Sequence, residues 1–134
     1  MKATELRVNN WYNSTKFQIP VICEFADFAE LDARADGAKV DEDLVDEMFQ
    51  PILLTEEWLL KFGFELKDEV NMGFIKQINF PHMKNYLYAN SKFYTTALWD
   101  DKKQIEIFIM NQAKYVHQLQ NLYFALTGNE LEIK

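Results

Sequence analysis

The chain has 134 residues, of which 49% are apolar and 15% aromatic, and its formal net charge is −7. This composition excludes a globally disordered chain, and no apolar run reaches the ~18 residues that a membrane-spanning helix needs. Length and composition together predict one small domain covering residues 1–134.

The N-terminal sequence and the cysteine content indicate a reducing compartment. The stretch MKATELRVNN lacks the apolar core of a secretory signal, and a single cysteine, Cys23, cannot form an intramolecular disulfide. We therefore expect a cytoplasmic protein. Cys23 is expected to be a buried thiol, because a nucleophilic thiol needs a base and an orienting group beside it, and its neighbours are Ile22 and Glu24.

The first quarter of the chain predicts strands and turns. Asn9-Asn10 indicates a turn, and residues 17–25, FQIPVICEF, place apolar side chains at alternate positions from Phe17 to Phe25. Alternation is the period of a strand. Since Pro20 has no backbone N–H to donate to a neighbouring strand, we expect this strand at the edge of a sheet.

The negative charge is concentrated in residues 24–50, which we call the acidic segment. Residues 24–47 carry ten acidic and two basic side chains, net −8, whereas the other 110 residues carry eleven acids and twelve bases, net +1. The pattern leaves helix and strand open here. Residues 44–49 have helical spacing after Asp41, a candidate N-cap, and Asp36-Gly37 indicates a turn.

Residues 51–65, PILLTEEWLLKFGFE, predict a short central helix over residues 56–62. Thr55 suits the N-cap, because its hydroxyl can accept a hydrogen bond from a free backbone N–H. Two glutamates follow in the first turn, where the helix dipole favours anions. Gly63 suits the end of the helix, and Leu54 before the cap can pack on Leu59.

An antiparallel meander of three or four strands is predicted next. The β-type runs are GFIKQINF, NYLYA, KFYTTALW and KQIEIFIM, and the breaks between them are Pro81-His82, Asn90-Ser91 and Asp100–Lys102.

The C-terminal region predicts a helix over Val116–Leu126, with Asn111 as a candidate cap before it and Gly128 closing it. One face carries an apolar stripe made of Tyr115, Val116, Leu119, Leu122, Tyr123 and Leu126. The opposite face groups His117, Gln120, Asn121 and Phe124, which form either a second packing contact or an exposed binding patch. Leu131 and Ile133 alternate with charged residues, as in a short terminal strand.

These elements predict an α+β fold: one small domain with an antiparallel β-sheet, a short central helix, and a C-terminal helix packed on the sheet. No catalytic or metal-binding constellation is evident. The sequence has no HxxxH, CxxC or HExxH spacing, no glycine-rich phosphate loop and no GxSxG. Each adjacent acid pair fits a helix start, loop or turn, so we expect no enzymatic activity, metal or cofactor.

Three blocks of the sequence carry a resemblance. They are ATELRVNNW at residues 3–11, PILLTEEWLLKFGFE at 51–65 and KYVHQLQNLYFALTGNELEI at 114–133, about a third of the chain. Together they resemble a family of small uncharacterised proteins of Bacteroidetes phages and prophages. The resemblance implies a mobile-element context inside a bacterial host and brings no catalytic residues. It also implies that the matching blocks are scaffold and that the acidic segment varies.

Two functional hypotheses follow. In the first, the chain is a non-enzymatic phage or prophage accessory protein, for example an anti-CRISPR-like inhibitor, that docks on the basic groove of a host protein. The residues expected to contact the partner are Asp41, Glu42, Asp43, Asp46, Glu47, Met48 and Phe49.

In the second hypothesis the chain is a nucleic-acid-binding module. Strand aromatics would stack bases beside nearby lysines. These residues are Tyr86, Tyr88, Phe93, Tyr94, Lys84, Lys92, Lys102 and Lys103. The scarcity of arginine, present only at Arg7 and Arg34, and the acidic segment both make direct nucleic-acid binding the weaker hypothesis.

Overall fold

The computed structural model describes residues 1–80, 83–100, 105–110 and 112–134. It combines helices with two antiparallel sheets, which confirms the predicted α+β class. Contacts divide the chain into two compact units: unit 1 is Met1–Ile52 and unit 2 is Leu53–Lys134. That the whole chain forms a single domain stays a prediction.

Unit 1 contains three short strands and two α-helices. After a 3-10 turn at Ala3–Glu5, the elements are β1 Trp11–Ser14, β2 Pro20–Ile22, α1 Phe25–Ala35, α2 Glu42–Met48 and β3 Phe49–Gln50. The strands form one antiparallel sheet in the order β2-β1-β3. The core of the unit consists of Leu6, Tyr12, Cys23, Leu31, Val45 and Phe49, and the hydroxyl of Tyr12 donates to the Glu5 carbonyl at 2.7 Å.

The strand predicted over residues 17–25 is much shorter in the structure. Only Pro20–Ile22 is extended and paired, at the sheet edge as expected for Pro20. Two local features end the alternation. Gln18 takes a left-handed φ of 55°, and the Asp27 carboxylate accepts from the Glu24 N–H at 2.7 Å, which starts α1 at once.

The acidic segment consists of helices α1 and α2 followed by the short strand β3. Asp41 is the N-cap of α2, since its carboxylate accepts from the Leu44 N–H at 2.9 Å, as predicted. The turn predicted at Asp36-Gly37 is also present: Asp36 ends α1 with φ 49°, and Gly37 follows with φ 83°.

In its described residues, unit 2 has one five-stranded sheet and two helices. Its elements are α3 Glu56–Lys61, β4 Glu65–Asp68, β5 Gly73–Phe80, β6 Met83–Asn90, β7 Thr96–Asp100, β8 Ile105–Met110 and α4 Val116–Thr127. The strands are antiparallel neighbours in chain order, which confirms the predicted meander and adds β4, a strand that the sequence did not indicate. The turn after Asn90 is also confirmed. Of the break predicted at Asp100–Lys102, Asp100 is the last residue of β7. The rest of that break, the break at Pro81-His82 and the cap at Asn111 lie outside the described residues.

Helix α3 follows its prediction closely. The Thr55 hydroxyl accepts from the Trp58 N–H at 3.4 Å, and Gly63 takes a left-handed φ of 84° just beyond the helix. Leu54 and Leu59 are both buried, as a contact across the helix start requires.

Helix α4 contacts β5 and ends at Gly128, whose φ is 73°. The Gln118 side chain fixes its start by accepting from the N–H groups of Lys114 and Tyr115 at 2.9 and 3.1 Å. The terminal strand predicted at Leu131–Ile133 is wrong. This tail is irregular, with Leu131 buried and the Lys134 N–H donating to the Lys61 carbonyl at 2.9 Å.

A candidate docking groove in unit 1

Unit 1 contains a groove of about 370 Å³ between the β1–β2 hairpin, α1 and the end of α2. Its apolar lining comes from Phe17, Val21, Ile22, Met48 and Phe49. Its charged lining has four carboxylates and two cations, which are Glu24, Asp27, Glu30, Glu47, Lys16 and Arg34. We call this feature the unit 1 groove. It pairs apolar contact area with an excess of negative charge.

The acidic wall of the groove arises from helical spacing. Glu24, Asp27 and Glu30 are three residues apart at the start of α1, so their side chains lie along one side of the helix. Asp27 also caps the helix through the Glu24 N–H, which fixes the direction of its carboxylate. Glu47 faces this wall from α2.

Arg34 links the two helices at the groove. Its Nη2 donates to Glu30 Oε1 at 2.8 Å, and its Nη1 lies 3.8 Å from Glu47 Oε2. All three side chains are solvent-accessible, with exposed fractions of 43% for Arg34, 51% for Glu30 and 63% for Glu47. Exposed ion pairs of this kind contribute only ~0–1 kcal/mol to stability.

The apolar lining is partly core and partly open surface. Phe49 is 4% exposed and belongs to the core of unit 1, whereas Phe17 and Ile22 are 62% and 43% exposed. The Lys16 ammonium lies 5.2 Å from the centre of the Phe17 ring, so a cation already lies against that aromatic ring. Phe17 and Ile22 thus provide apolar area that solvent can reach.

The structure separates the residues predicted to contact a partner. Glu47, Met48 and Phe49 line the groove, but Asp41, Glu42, Asp43 and Asp46 do not. Asp41 caps α2, and the Asp46 carboxylate accepts from the Met1 amino group at 2.7 Å. Glu42 and Asp43 are exposed in the first turn of α2.

Phe49, which was predicted to contact the partner, lines the groove but is mostly buried in the core of unit 1. Its ring packs on Tyr12 in the core with 5.6 Å between ring centres, because β3 pairs with β1 there and turns the side chain inward.

The second predicted patch, on α4, is also largely internal. His117 and Gln120 are 1% and 0% exposed, and the His117 ring stacks on Tyr115 with 5.9 Å between ring centres. Asn121 is half-buried, and Phe124 is 41% exposed. Of the two alternatives that the sequence left open, His117 and Gln120 therefore form a packing contact, and this face of α4 is not an exposed four-residue patch.

The strand aromatics are mostly half-buried in unit 2. Tyr86, Tyr88 and Tyr94 are partly covered, whereas Phe93 is 53% exposed, with the Lys92 ammonium 5.4 Å from its ring centre. The other lysines of that hypothesis are at positions 84, 102 and 103, where the structure describes no side chain. Among the described side chains of this hypothesis, Phe93 and Lys92 form one exposed aromatic–lysine pair.

Among the described residues, the thiol of Cys23 and the metal-binding types of side chain can be placed. Cys23 is buried, and burial raises the pKa of its thiol to about 12, with the carboxylates of Asp27 and Glu24 adding to the effect. Within the described ranges, no three side chains of His, Cys, Asp or Glu are placed to share a metal ion.

The chain matches no protein-family model, no curated protein and no solved structure. No helix in the described part of the chain combines the length and apolar character that crossing a bilayer requires.

Sequence reasoning missed most of the groove. Glu24, Asp27, Glu30 and Arg34 lie within the acidic segment but are not among the residues that the sequence predicts to contact a partner. Their spacing of three, three and four residues is a helical stripe, and that signal could have identified them. Nothing in the sequence placed Phe17 or Ile22 beside this stripe, because the hairpin brings them there.

Proposed function

We propose that this chain is a non-enzymatic binding protein that docks a basic segment of a partner protein in the unit 1 groove. The observation that carries the proposal is the combination of exposed apolar side chains with four carboxylates in one groove. Apolar area supplies affinity, and carboxylates select a cationic partner and speed its approach.

The charge of the unit supports a basic partner over a second copy of this chain. Unit 1 has eleven acidic and five basic side chains, net −6, whereas unit 2 has ten acids and nine bases, net −1. Two copies of unit 1 would repel each other, and a Lys- or Arg-rich segment would be attracted.

The resemblance to phage and prophage proteins gives this proposal a concrete form. The partner would be a host protein, such as a nucleic-acid-guided defence nuclease, and binding of a basic segment beside its nucleic-acid channel would block that channel. Inhibition of DNA cleavage by such a nuclease, measured with increasing amounts of this protein, is the corresponding assay.

The proposal is tested with a fluorescein-labelled peptide in which arginine and leucine alternate, and binding is measured by fluorescence anisotropy. The groove variant Glu24→Gln/Glu30→Gln/Glu47→Gln should weaken binding by about tenfold, since each exposed pair contributes up to ~1 kcal/mol. Asp32→Asn/Asp36→Asn/Asp43→Asn removes the same charge from exposed positions outside the groove and should have a smaller effect. Equal losses in both variants would show attraction by net charge alone.

The apolar contribution has its own matched pair. Phe17 lines the groove, whereas Phe25 does not, and the two rings are 62% and 80% exposed. Neither ring belongs to the core of unit 1. Phe17→Ala should weaken peptide binding and Phe25→Ala should not. If Phe25→Ala weakened binding and Phe17→Ala did not, the peptide would bind outside the groove.

Nucleic-acid binding is a second candidate, supported by the exposed Phe93 ring beside the Lys92 ammonium. A mobility-shift assay with single-stranded RNA and DNA at low salt tests it, with Phe93→Ala as the variant. Absence of a shift with the wild-type protein would end this candidate.

A further inference from the structure

The groove already holds an arginine of the chain itself. Arg34 places one guanidinium nitrogen 2.8 Å from Glu30 and the other 3.8 Å from Glu47, so its fork reaches carboxylates on two different helices. Both carboxylates line the groove. This arrangement shows what the pair can accommodate, namely one guanidinium lying between α1 and α2.

The Arg34 contacts are of a kind that a partner can replace at small cost. All three side chains are close to half exposed or more, so their mutual attraction is weakened by water and salt. An arginine arriving with an apolar neighbour would cover part of the groove, and exclusion of water strengthens an ion pair.

We infer that Arg34 is an internal competitor for an arginine of the partner, and that Glu30 and Glu47 are the carboxylates that recognise this arginine. The inference rests on the proposed function and adds the identity of the recognised side chain. A guanidinium is favoured over a lysine ammonium because two separate nitrogens contact the two carboxylates.

Removing Arg34 should therefore tighten binding of the arginine–leucine peptide. Arg34→Ala should lower its Kd by about two- to fivefold, the range expected when one exposed ion pair no longer competes. Lys39→Ala is the matched control, because it removes one positive charge from an exposed position of unit 1 outside the groove. Arg34→Gln serves the same purpose if the alanine variant is unstable.

Two further measurements separate this mechanism from a general charge effect. A peptide with lysine in place of arginine should bind more weakly to the wild-type protein. NMR spectra of arginine side chains provide a direct view, because the chain has only Arg7 and Arg34. Addition of the peptide should shift the Arg34 Nε–H signal and leave the Arg7 signal unchanged.

The results distinguish a failure of the competitor role of Arg34 from a failure of the proposed function. If the wild-type protein binds neither peptide, the proposed function fails and this inference fails with it. If the peptide binds in the groove but Arg34→Ala gains no more than Lys39→Ala, only the competitor role is overturned. A weaker complex with Arg34→Ala would likewise overturn it, by showing that Arg34 supports the bound state.

Discussion

At the scale of single residues, Gly73 shows how one missing side chain allows two strands to pack. A methyl group at position 73 would lie 2.4 Å from Cε2 and from the hydroxyl oxygen of Tyr88 on the neighbouring strand. That hydroxyl accepts a hydrogen bond from Asn90 Nδ2 at 3.2 Å, so the ring cannot move aside without losing a contact. The glycine is required here by close packing across the sheet.

Gly73→Ala should consequently destabilise the protein by about 1–3 kcal/mol, the usual cost of forcing extra volume into a packed site. Urea unfolding followed by far-UV circular dichroism measures the change. In a Tyr88→Ala background the same substitution should cost much less, because the atoms that clash are gone. Equal costs in both backgrounds would assign the effect to backbone conformation.

Cys23 gives a second prediction at this scale. Its thiol is buried, and the pKa is raised to about 12, so the protonated form dominates up to strongly alkaline pH. At pH 8 the folded protein should react with a disulfide reagent such as DTNB far more slowly than the urea-unfolded chain does. Fast labelling of the folded protein would show that Cys23 is accessible.

At the scale of elements, local chemistry accounts for what the sequence predicted. Thr55, Asp41 and Gly128 act as caps through their own side chains or left-handed backbone, so adjacent residues are enough to place them. Strand β4 could not be predicted in this way. Glu65–Asp68 has no buried face, and its pairing with β5 decides its conformation.

The length of strand β2 also could not be predicted from the sequence pattern. The alternation from Phe17 to Phe25 is a valid strand pattern, yet Gln18 has a left-handed backbone and Phe25 begins a helix. The apolar side chains at both ends are exposed instead of buried. Periodicity indicates which conformation would bury these residues, but not whether the fold buries them.

Asp41 allows the structural and the binding roles of the acidic segment to be separated. Asp41→Ala should destabilise the protein by about 1 kcal/mol, because the Leu44 N–H loses its acceptor, whereas Asp41→Asn keeps an acceptor and should change stability little. Neither variant should alter peptide affinity by more than about twofold, since Asp41 lies outside the groove. A large loss of affinity in Asp41→Asn would show that Asp41 contacts the peptide.

At the scale of the whole molecule, the distribution of charge was readable from the sequence but the site was not. The sequence located the negative segment, and the structure shows that four of its carboxylates line one groove while others cap a helix or pair with the N-terminal amino group. Whether a given acidic residue lines the groove, caps a helix or forms an ion pair depends on how α1, α2 and the hairpin pack. This packing is a property of the tertiary structure. The same holds for His117 and Gln120, whose polar character gave no sign of their burial.

The contrast in charge between the units, net −6 against net −1, leads to a prediction about unfolding. Unit 1 is short and repels itself, so at low salt it should unfold at a lower urea concentration than unit 2. Added salt should stabilise unit 1 selectively by screening that repulsion. Pulse labelling of Cys23 reports on unit 1. In a Trp11→Phe background the tryptophan fluorescence comes from unit 2, where Trp58 is buried.

The Asp32→Asn/Asp36→Asn/Asp43→Asn variant is the control for this prediction, because it halves the net charge of unit 1 from −6 to −3. Its Cys23 labelling midpoint should already be higher at low salt and should respond less to added salt. If labelling and fluorescence transitions coincide at every ionic strength, the two units unfold together. The chain would then behave as the single cooperative domain that its length predicts, and the charge of unit 1 would not control its stability.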